Sequence, residues 1–309
     1  MSYLKNKAIL FDLAHKEMLN IEENEFSELF NLLQRFNVKI GKNENKDLKR
    51  DILKKVDILI IGNPINDFFS NIEIKSIVDY VRQGGRLLLI SEYGSDFLQK
   101  TNLNDLAGKH FGIFFEKNIV KEQNKVNQNC TSILHVRDFP ENEITSHIRE
   151  IVIGGTCSFF IDKNAKSLIK SNEITWTEIY DDATKQWAKQ NEQSQIIGAY
   201  TKFGKGKVIA LGDIDMFTND PNMGITQLDN RKFILNILNW LMEPVKESDV
   251  IFWMLNQLGS LQSEFKEINN KINNIIETLT FLEQRVSVIE ENSAHVERNA
   301  ENKKIDPNK

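Results

Sequence analysis

A heptad repeat at the end of the chain constrains its fold more than any other sequence feature. Apolar residues recur at alternating spacings of three and four through six heptads. The a and d positions are Ile251, Met254, Leu258, Leu261, Phe265, Ile268, Ile272, Ile275, Leu279, Leu282, Val286 and Ile289. Burying each side chain is worth about 1.5–3 kcal/mol, which drives such a helix towards a partner helix. We therefore predict a coiled coil that forms a homo-oligomer or binds another protein.

The repeat also divides the chain into segments. We predict a head domain at 1–243, a linker at 244–249, the coiled coil at 250–292 and a polar, disordered tail at 293–309. Isoleucines at neighbouring a and d positions favour three or four strands over two. The alternative is a helix that folds back along its own head across the short linker.

The head alternates between apolar strands and amphipathic helices. Strands are predicted at 7–13, 38–40, 56–61 and 86–91, and helices at 23–36, 47–53 and 71–82. A glycine-bearing turn at 202–206 joins two more strands, and a helix at 230–242 closes the domain. Strands that are apolar on both faces are typical of a parallel sheet. We predict an α/β fold with a mostly parallel sheet and helices on both faces.

The pattern weakens between residues 102 and 143. This region contains a short helix, an apolar fragment at 111–115 and an Asn-rich stretch at 121–130. We interpret it as an insertion or flap.

Composition excludes several classes of protein. The net charge is -5, so no overall positive field attracts nucleic acid. No apolar run is long enough for direct membrane insertion. Cys130 and Cys157 form neither a CxxC motif nor a His-containing cluster, so a disulfide framework and a zinc site are not indicated. These features favour a cytoplasmic protein.

A ligand would bind where the predicted strands end, because open α/β sheets place clefts at the carboxyl ends of their strands. The candidate residues there are Asp12, Asn63, Glu92, Tyr93, Gly94, Asp213 and Asp215. Glu92, Asp213 and Asp215 offer oxygen ligands for a cation or a sugar hydroxyl. A simpler interpretation is that Asp213 accepts hydrogen bonds from the amides of its own turn. We expect the latter, with no resident metal or cofactor.

The same edge of the sheet lacks an evident nucleophile and base. The strand at 86–91 ends in Ser91, and both cysteines lie far from it in sequence. A serine hydrolase needs a neighbouring base, and no histidine has an obvious route to Ser91. We therefore expect no enzyme, with a hydrolase centred on Ser91 or Glu92 as the lesser alternative.

Three segments, at 8–18, 78–112 and 212–241, together resemble the GIFT domain of intraflagellar transport proteins and its bacterial and archaeal relatives, including gliding-associated transport components. The residues that match this pattern are Gly84, Gly85, Glu92, Gly94, Thr101, Asn102, Asn104, Gly112, Gly212, Met216 and Phe217. The resemblance implies a flavodoxin-like sheet related to class I glutamine amidotransferases, without their Cys-His-Glu triad. It also implies a role in assembly or ligand contact. The short coiled coil replaces the long regions of the ciliary proteins, which favours a prokaryotic-type relative.

These observations lead to two hypotheses for function. The first is a non-catalytic adaptor that assembles with proteins through its head and its coiled coil. The second is a sensor that binds a small ligand, such as a sugar or nucleotide, in the cleft.

Overall fold

The structure is a computed structural model that describes residues 3–44, 47–123, 130–162 and 164–304. Its contacts divide the chain into two units, Met1–Ile251 and Phe252–Lys309. We call the first unit the head and the second the helical unit, and describe each by itself.

The head contains fifteen described strands and six helices. The strands are β1 Ala8–Asp12, β2 Lys39–Asn43, β3 Ile58–Gly62, β4 Arg86–Ile90, β5 Ile113–Phe115, β6 Asn118–Gln123, β7 Cys130–Thr131, β8 Ile133–Val136, β9 Ile151–Gly154, β10 Phe159–Ile161, β11 Lys166–Lys170, β12 Thr175–Asp181, β13 Gln186–Glu192, β14 Ile196–Phe203 and β15 Gly206–Leu211. The helices are α1 Ser27–Arg35, α2 Arg50–Leu53, α3 Asn71–Arg82, α4 Ser95–Gln99, α5 Leu103–Phe111 and α6 Asn230–Met242. Short 3-10 turns lie at Asn24–Phe26 and Asp215–Phe217.

A seven-stranded sheet with the order β11-β14-β15-β4-β3-β1-β2 forms the centre of the head. Strands β2, β1, β3, β4 and β15 are parallel, and β14 and β11 extend the sheet in the antiparallel sense. The predicted hairpin is β14 and β15, joined at Gly204, whose φ of 59° suits glycine. The prediction of an α/β domain with a mostly parallel sheet is confirmed.

Alternation along the strands creates a separate apolar core on each face of the sheet. In β4, for example, Leu88 and Ile90 belong to one core while Leu87 and Leu89 belong to the other. The first core is covered by α1 and α6, and the second by α2, α3 and α5. We call these two sides of the sheet the α6 face and the α3 face.

The region predicted as an insertion or flap is an ordered part of the head. It contributes α5, β5, β6 and β8, and β6 pairs with β7 and β12 in a four-stranded antiparallel sheet of order β13-β12-β6-β7. Neither β12 nor β13 was predicted. Strand β13 is exposed and polar, so it has no apolar alternation to detect. Residues 124–129 of the Asn-rich stretch lie outside the described residues.

The long helix α7 covers Glu247–Lys304 and includes the whole heptad repeat. It begins inside the predicted linker, where Glu247 and Asp249 lie in its first turn and interact favourably with the helix dipole. It continues through most of the predicted disordered tail, since no proline follows Pro244 before Pro307. Residues 305–309 lie outside the described residues. Among the described helices, none combines the length and apolar character that a membrane span requires.

Candidate functional site

Two clusters of buried ionisable side chains lie at the carboxyl edge of the parallel strands. The histidine cluster consists of Asp12, His15, Glu17 and Glu73, and the acid triad consists of Glu92, Asp213 and Asp215. Each cluster collects residues that are distant in sequence, because parallel strands end at one edge of the sheet.

The histidine cluster is centred on an imidazole held between carboxylates. His15 Nδ1 lies 2.6 Å from Asp12 Oδ2, and His15 Nε2 lies 3.2 Å from Glu73 Oε1. The backbone amide of His15 donates to Glu17 Oε2 at 3.0 Å. Glu73 is fixed by its second role in the capping box of α3, where its carboxylate accepts from the Ser70 amide. The imidazole therefore has an acidic partner on each ring nitrogen.

Charge and burial shift the titration of this cluster. Burial by itself would lower the pKa of His15, but the hydrogen bond and charge of Asp12, with the charge of Glu73, raise that pKa above its usual value. Burial, followed by the charge and hydrogen bond of Asp12, raises the pKa of Glu17 to about 10. At neutral pH Glu17 is thus protonated, and the charges of Asp12 and Glu73 favour the protonated form of the His15 imidazole between them.

The titration of Glu17 makes stability depend on pH. A carboxyl whose pKa rises on folding stabilises the native state fully below its unfolded pKa of 4.5, and this stability is lost as pH rises through the folded pKa of about 10. We expect the free energy of unfolding, from urea titrations, to fall between about pH 6 and 9. Replacing Glu17→Gln should make the slope shallower by about 1.4 kcal/mol per pH unit, the effect of one proton.

The exposed Glu141 provides the control for this measurement. Glu141→Gln should leave the slope of the wild-type protein unchanged. An equally steep slope in Glu17→Gln would show that Glu17 does not carry the extra proton.

The acid triad is built from two strand ends and a 3-10 turn. Glu92 follows β4, Asp213 follows β15, and Asp215 begins the turn Asp215–Phe217. One carboxylate oxygen of each residue lies within 4.8 Å of the corresponding oxygens of the other two. Glu92 Oε1 accepts from the Ile214 amide at 2.9 Å, and Asp213 Oδ1 accepts from the Asp215 amide at 2.7 Å. Glu92 and Asp213 are buried, whereas Asp215 is partly exposed.

All three triad carboxyls have a pKa above the usual value. For Glu92 the pKa is raised first by burial and then by the charge of Asp213. Burial and the charge of Asp215 raise the pKa of Asp213, and burial with the charge of Asp220 raises that of Asp215. The residues thus repel one another when ionised, and the triad retains protons more strongly than isolated carboxyls do.

The two clusters lie on opposite faces of the sheet. Asp12 lies two residues after Leu10, whose side chain belongs to the core of the α3 face. Its partner His15 contacts Glu73, which is a residue of α3. Glu92 and Asp213 continue the alternation of Ile90 and Leu211, which belong to the core of the α6 face. The residues predicted to share one cleft are therefore divided between the two faces.

The other predicted cleft residues have distinct environments. Asn63 is fully buried after β3, and its side-chain amide contacts Met18 Sδ. Gly94 has a φ of 76° at the start of α4, and a Cβ there would lie 2.3 Å from Leu98 Cδ1, so glycine is required. The ring of Tyr93 lies 6.2 Å from that of Trp187, which is 5.5 Å from Tyr180.

Ser91 and Cys157, two candidate nucleophiles among the described residues, are deeply buried. Ser91 is only 1% exposed, and its Oγ has no hydrogen-bond partner among the described residues. The Cys157 thiol is buried, and burial followed by the charge of Glu92 raises its pKa well above the usual value. Cys157 therefore stays a neutral thiol at physiological pH.

A cavity of about 870 Å³ lies at the opposite, amino edge of the strands. Its lining includes Arg50, Asp57, Tyr80 and Arg86, with Gly84 from the turn before β4. None of the predicted cleft residues lines this cavity.

Comparison with known proteins places the head in a family. Residues 20–238 match the family model described as "Domain of unknown function (DUF4350)". The chain belongs to the DUF4350 family. No curated protein matches the sequence.

Solved structures show the fold that this DUF4350 head shares. The "mmIFT52 N-terminal domain" superposes with a TM-score of 0.63 at 20% identity, covering 76% of this chain and 97% of that one. "Cytoplasmic Protein STM1381 from Salmonella typhimurium LT2" superposes with a TM-score of 0.51 at 16% identity, covering 76% and 100%. Both similarities show the fold alone.

Sequence reasoning missed several residues that shape the two clusters of the DUF4350 head. Glu17, Glu73 and Asn43, whose Nδ2 donates to Asp12 Oδ1 at 2.7 Å, were not candidates. The Ser70 to Glu73 spacing is a capping-box signal that could have drawn attention to Glu73. The Gly154-Gly155 pair beside the acid triad was also missed. Two adjacent glycines at the end of a strand signal a close approach of the backbone.

Proposed function

We propose that this DUF4350 protein is a non-catalytic assembly module that forms a parallel homo-oligomer through α7. The observation that carries the proposal is the exposure of the heptad seam. Each of its twelve side chains is between 48% and 69% exposed. Such a stripe is costly to leave in water, and a second copy of the same helix buries it without other change to the chain.

Charges beside the seam support a parallel arrangement. Arg285 is at a g position and Glu290 is at the e position of the following heptad. In a parallel coiled coil in register, the g side chain of one helix faces the next e side chain of its partner, so Arg285 and Glu290 attract each other across the interface. Glu264 and Lys271 occupy two other g positions. Their opposite charges disfavour a shifted register in which either side chain would face a like charge on the partner helix.

The head supplies the second part of the proposal, a flavodoxin-like scaffold used for contact rather than catalysis. Its parallel strands have the order β2-β1-β3-β4-β15, which is the order of flavodoxin-like sheets. The burial of Ser91 and Cys157 supports a head without an active nucleophile. The buried free thiol of Cys157 also supports a cytoplasmic location.

Sedimentation of the intact chain and of a chain that ends at Met242 tests this function. We expect the intact chain to sediment as a multiple of its 35.8 kDa mass and the shortened chain to sediment as a monomer. The circular dichroism of the shortened chain should still show the mixed α/β content of the head. An intact chain that remains monomeric at all concentrations would exclude the assembly role of α7.

A further inference from the structure

The acid triad has a charge that the described residues do not balance. Glu92, Asp213 and Asp215 form no ion pair with any lysine, arginine or histidine in the part of the chain that the structure describes. The histidine cluster differs in this respect, because its carboxylates surround an imidazole. Three carboxylates at close range without a counter-ion favour the binding of either protons or an external cation.

One oxygen of the triad is also without a hydrogen bond. Asp213 is 2% exposed, its Oδ1 accepts from the Asp215 amide, and its Oδ2 has no hydrogen-bond partner. The amides of Gly154 and Met216 lie close enough to favour the ionised form of this carboxyl. A buried carboxylate oxygen without a partner is costly unless a ligand satisfies it.

The backbone beside the triad carboxylates consists of two glycines, Gly154 and Gly155, which have no side chain. A Cβ on Gly154 would lie 3.0 Å from Asp215 Oδ2, and a Cβ on Gly155 would lie 3.1 Å from Glu92 Oε2. Gly155 also has a φ of 59°, a conformation that favours glycine. The Gly154-Gly155 pair therefore adds no side chain of its own beside these two triad oxygens. The nearest other side chains are Met223, with its Sδ 2.3 Å from the Cβ position of Gly154, and Tyr93, with its Cδ1 3.3 Å from that of Gly155.

We propose that the acid triad binds a divalent cation of the Ca²⁺ type, held by Glu92, Asp213 and Asp215. Ca²⁺ binds oxygen ligands at about 2.3–2.6 Å, so two ligands on opposite sides of the ion are about 4.6–5.2 Å apart, whereas opposite ligands of Mg²⁺ are only about 4.2 Å apart. The triad oxygens lie within 4.8 Å of one another, so all three fit around one ion of this size. Asp215 is partly exposed and gives the ion and its remaining water ligands a route to solvent.

Terbium luminescence tests the site, because Tb³⁺ has a similar size and oxygen preference to Ca²⁺ and is sensitised by nearby aromatic rings. The Tyr93 ring lies 3.3 Å from the Cβ position of Gly155, and Trp187 lies beside Tyr93. We expect Tb³⁺ emission on excitation of the intact protein and displacement of that emission by Ca²⁺ at lower concentrations than by Mg²⁺. Asp213→Asn should weaken Tb³⁺ binding at least about tenfold, since affinity depends on the number of charged ligands.

Two further variants make the result specific. Asp215→Asn, at the partly exposed position, should also weaken binding and is the less demanding substitution for folding. Glu17→Gln, in the histidine cluster, should leave the Tb³⁺ affinity unchanged. Absence of sensitised emission, or equal affinities for wild type, Asp213→Asn and Asp215→Asn with circular dichroism unchanged, would overturn the proposal. Loss of binding in Glu17→Gln alone would assign the ion to the histidine cluster and overturn it as well.

Discussion

Two aspartates in the heptad seam are expected to convert the assembled protein into monomers. Ile268 and Ile275 are d positions of α7, and they are 53% and 58% exposed. The double variant Ile268→Asp, Ile275→Asp removes two apolar contacts from each helix and places charges where the partner would bury them. At about 1.5 kcal/mol or more for each lost side chain, a dimer would lose at least about 6 kcal/mol, on the order of 10⁴-fold in its dissociation constant.

The control places the same added charge on the outer side of the helix. Asn270 and Gln284 both occupy f positions of the heptad. The double variant Asn270→Asp, Gln284→Glu should have the same sedimentation coefficient as the wild-type protein. If both double variants remain assembled, the seam does not form the interface. If both dissociate, charge rather than seam burial controls assembly.

Replacing one buried asparagine is expected to destabilise the head more than most core substitutions do. Asn230, the first residue of α6, is fully buried. Its Oδ1 accepts from the Val152 amide at 2.9 Å, and its Nδ2 donates to the carbonyl oxygens of Val152, Met223 and Gly224 at 2.9–3.0 Å. The side chain thereby joins α6 to β9 and to the loop that follows the 3-10 turn Asp215–Phe217. Leucine has a similar size but satisfies none of these groups.

The expected loss for Asn230→Leu is about 3–5 kcal/mol, because several buried backbone groups lose their partner at about 1–3 kcal/mol each. Guanidinium unfolding followed by near-ultraviolet circular dichroism measures it. Asn236, on the same helix, donates to the Ile144 and Ser146 carbonyls from a partly exposed position. Asn236→Leu should therefore cost less than about 1 kcal/mol. Similar unfolding midpoints for the two variants would contradict the importance given to the Asn230 network.

Assembly and cation binding are independent properties in these proposals. All seam residues after Ile251 belong to the helical unit, and the acid triad belongs to the head. A chain that ends at Met242 should therefore lose the oligomer but retain Tb³⁺ binding. Conversely, Asp213→Asn should weaken Tb³⁺ binding without a change in sedimentation.

Local sequence signals were sufficient for several elements of the head. The helix α3 covers Asn71–Arg82, the range predicted from its apolar spacing, because its start is specified by a capping box and its end by Gly84 and Gly85. The hairpin of β14 and β15 was also predicted from a local signal, because its turn residues lie between two apolar runs. Each of these signals acts within a few residues along the chain.

Elements that depend on distant partners were predicted less well. The strand β13 is polar and exposed, and it is held by pairing with β12 rather than by a buried face of its own. The Asn118 side chain connects to Ser158, forty residues away, with the Asn118 amide donating to Ser158 Oγ at 2.9 Å. No periodicity in the sequence reports such contacts, so the region between residues 102 and 143 was interpreted as an insertion or flap.

The sequence by itself determined that the head is an α/β domain with its acidic residues at the carboxyl ends of the strands, and that a long helix with an apolar seam follows. Both properties come from periodicity, which is a property of neighbouring residues. Only the tertiary structure decided that Asp12 joins His15 and Glu73 on the α3 face while Glu92 joins Asp213 and Asp215 on the α6 face. The reason is that strand register and helix placement, which are set by packing across the whole sheet, determine which of these charges become neighbours.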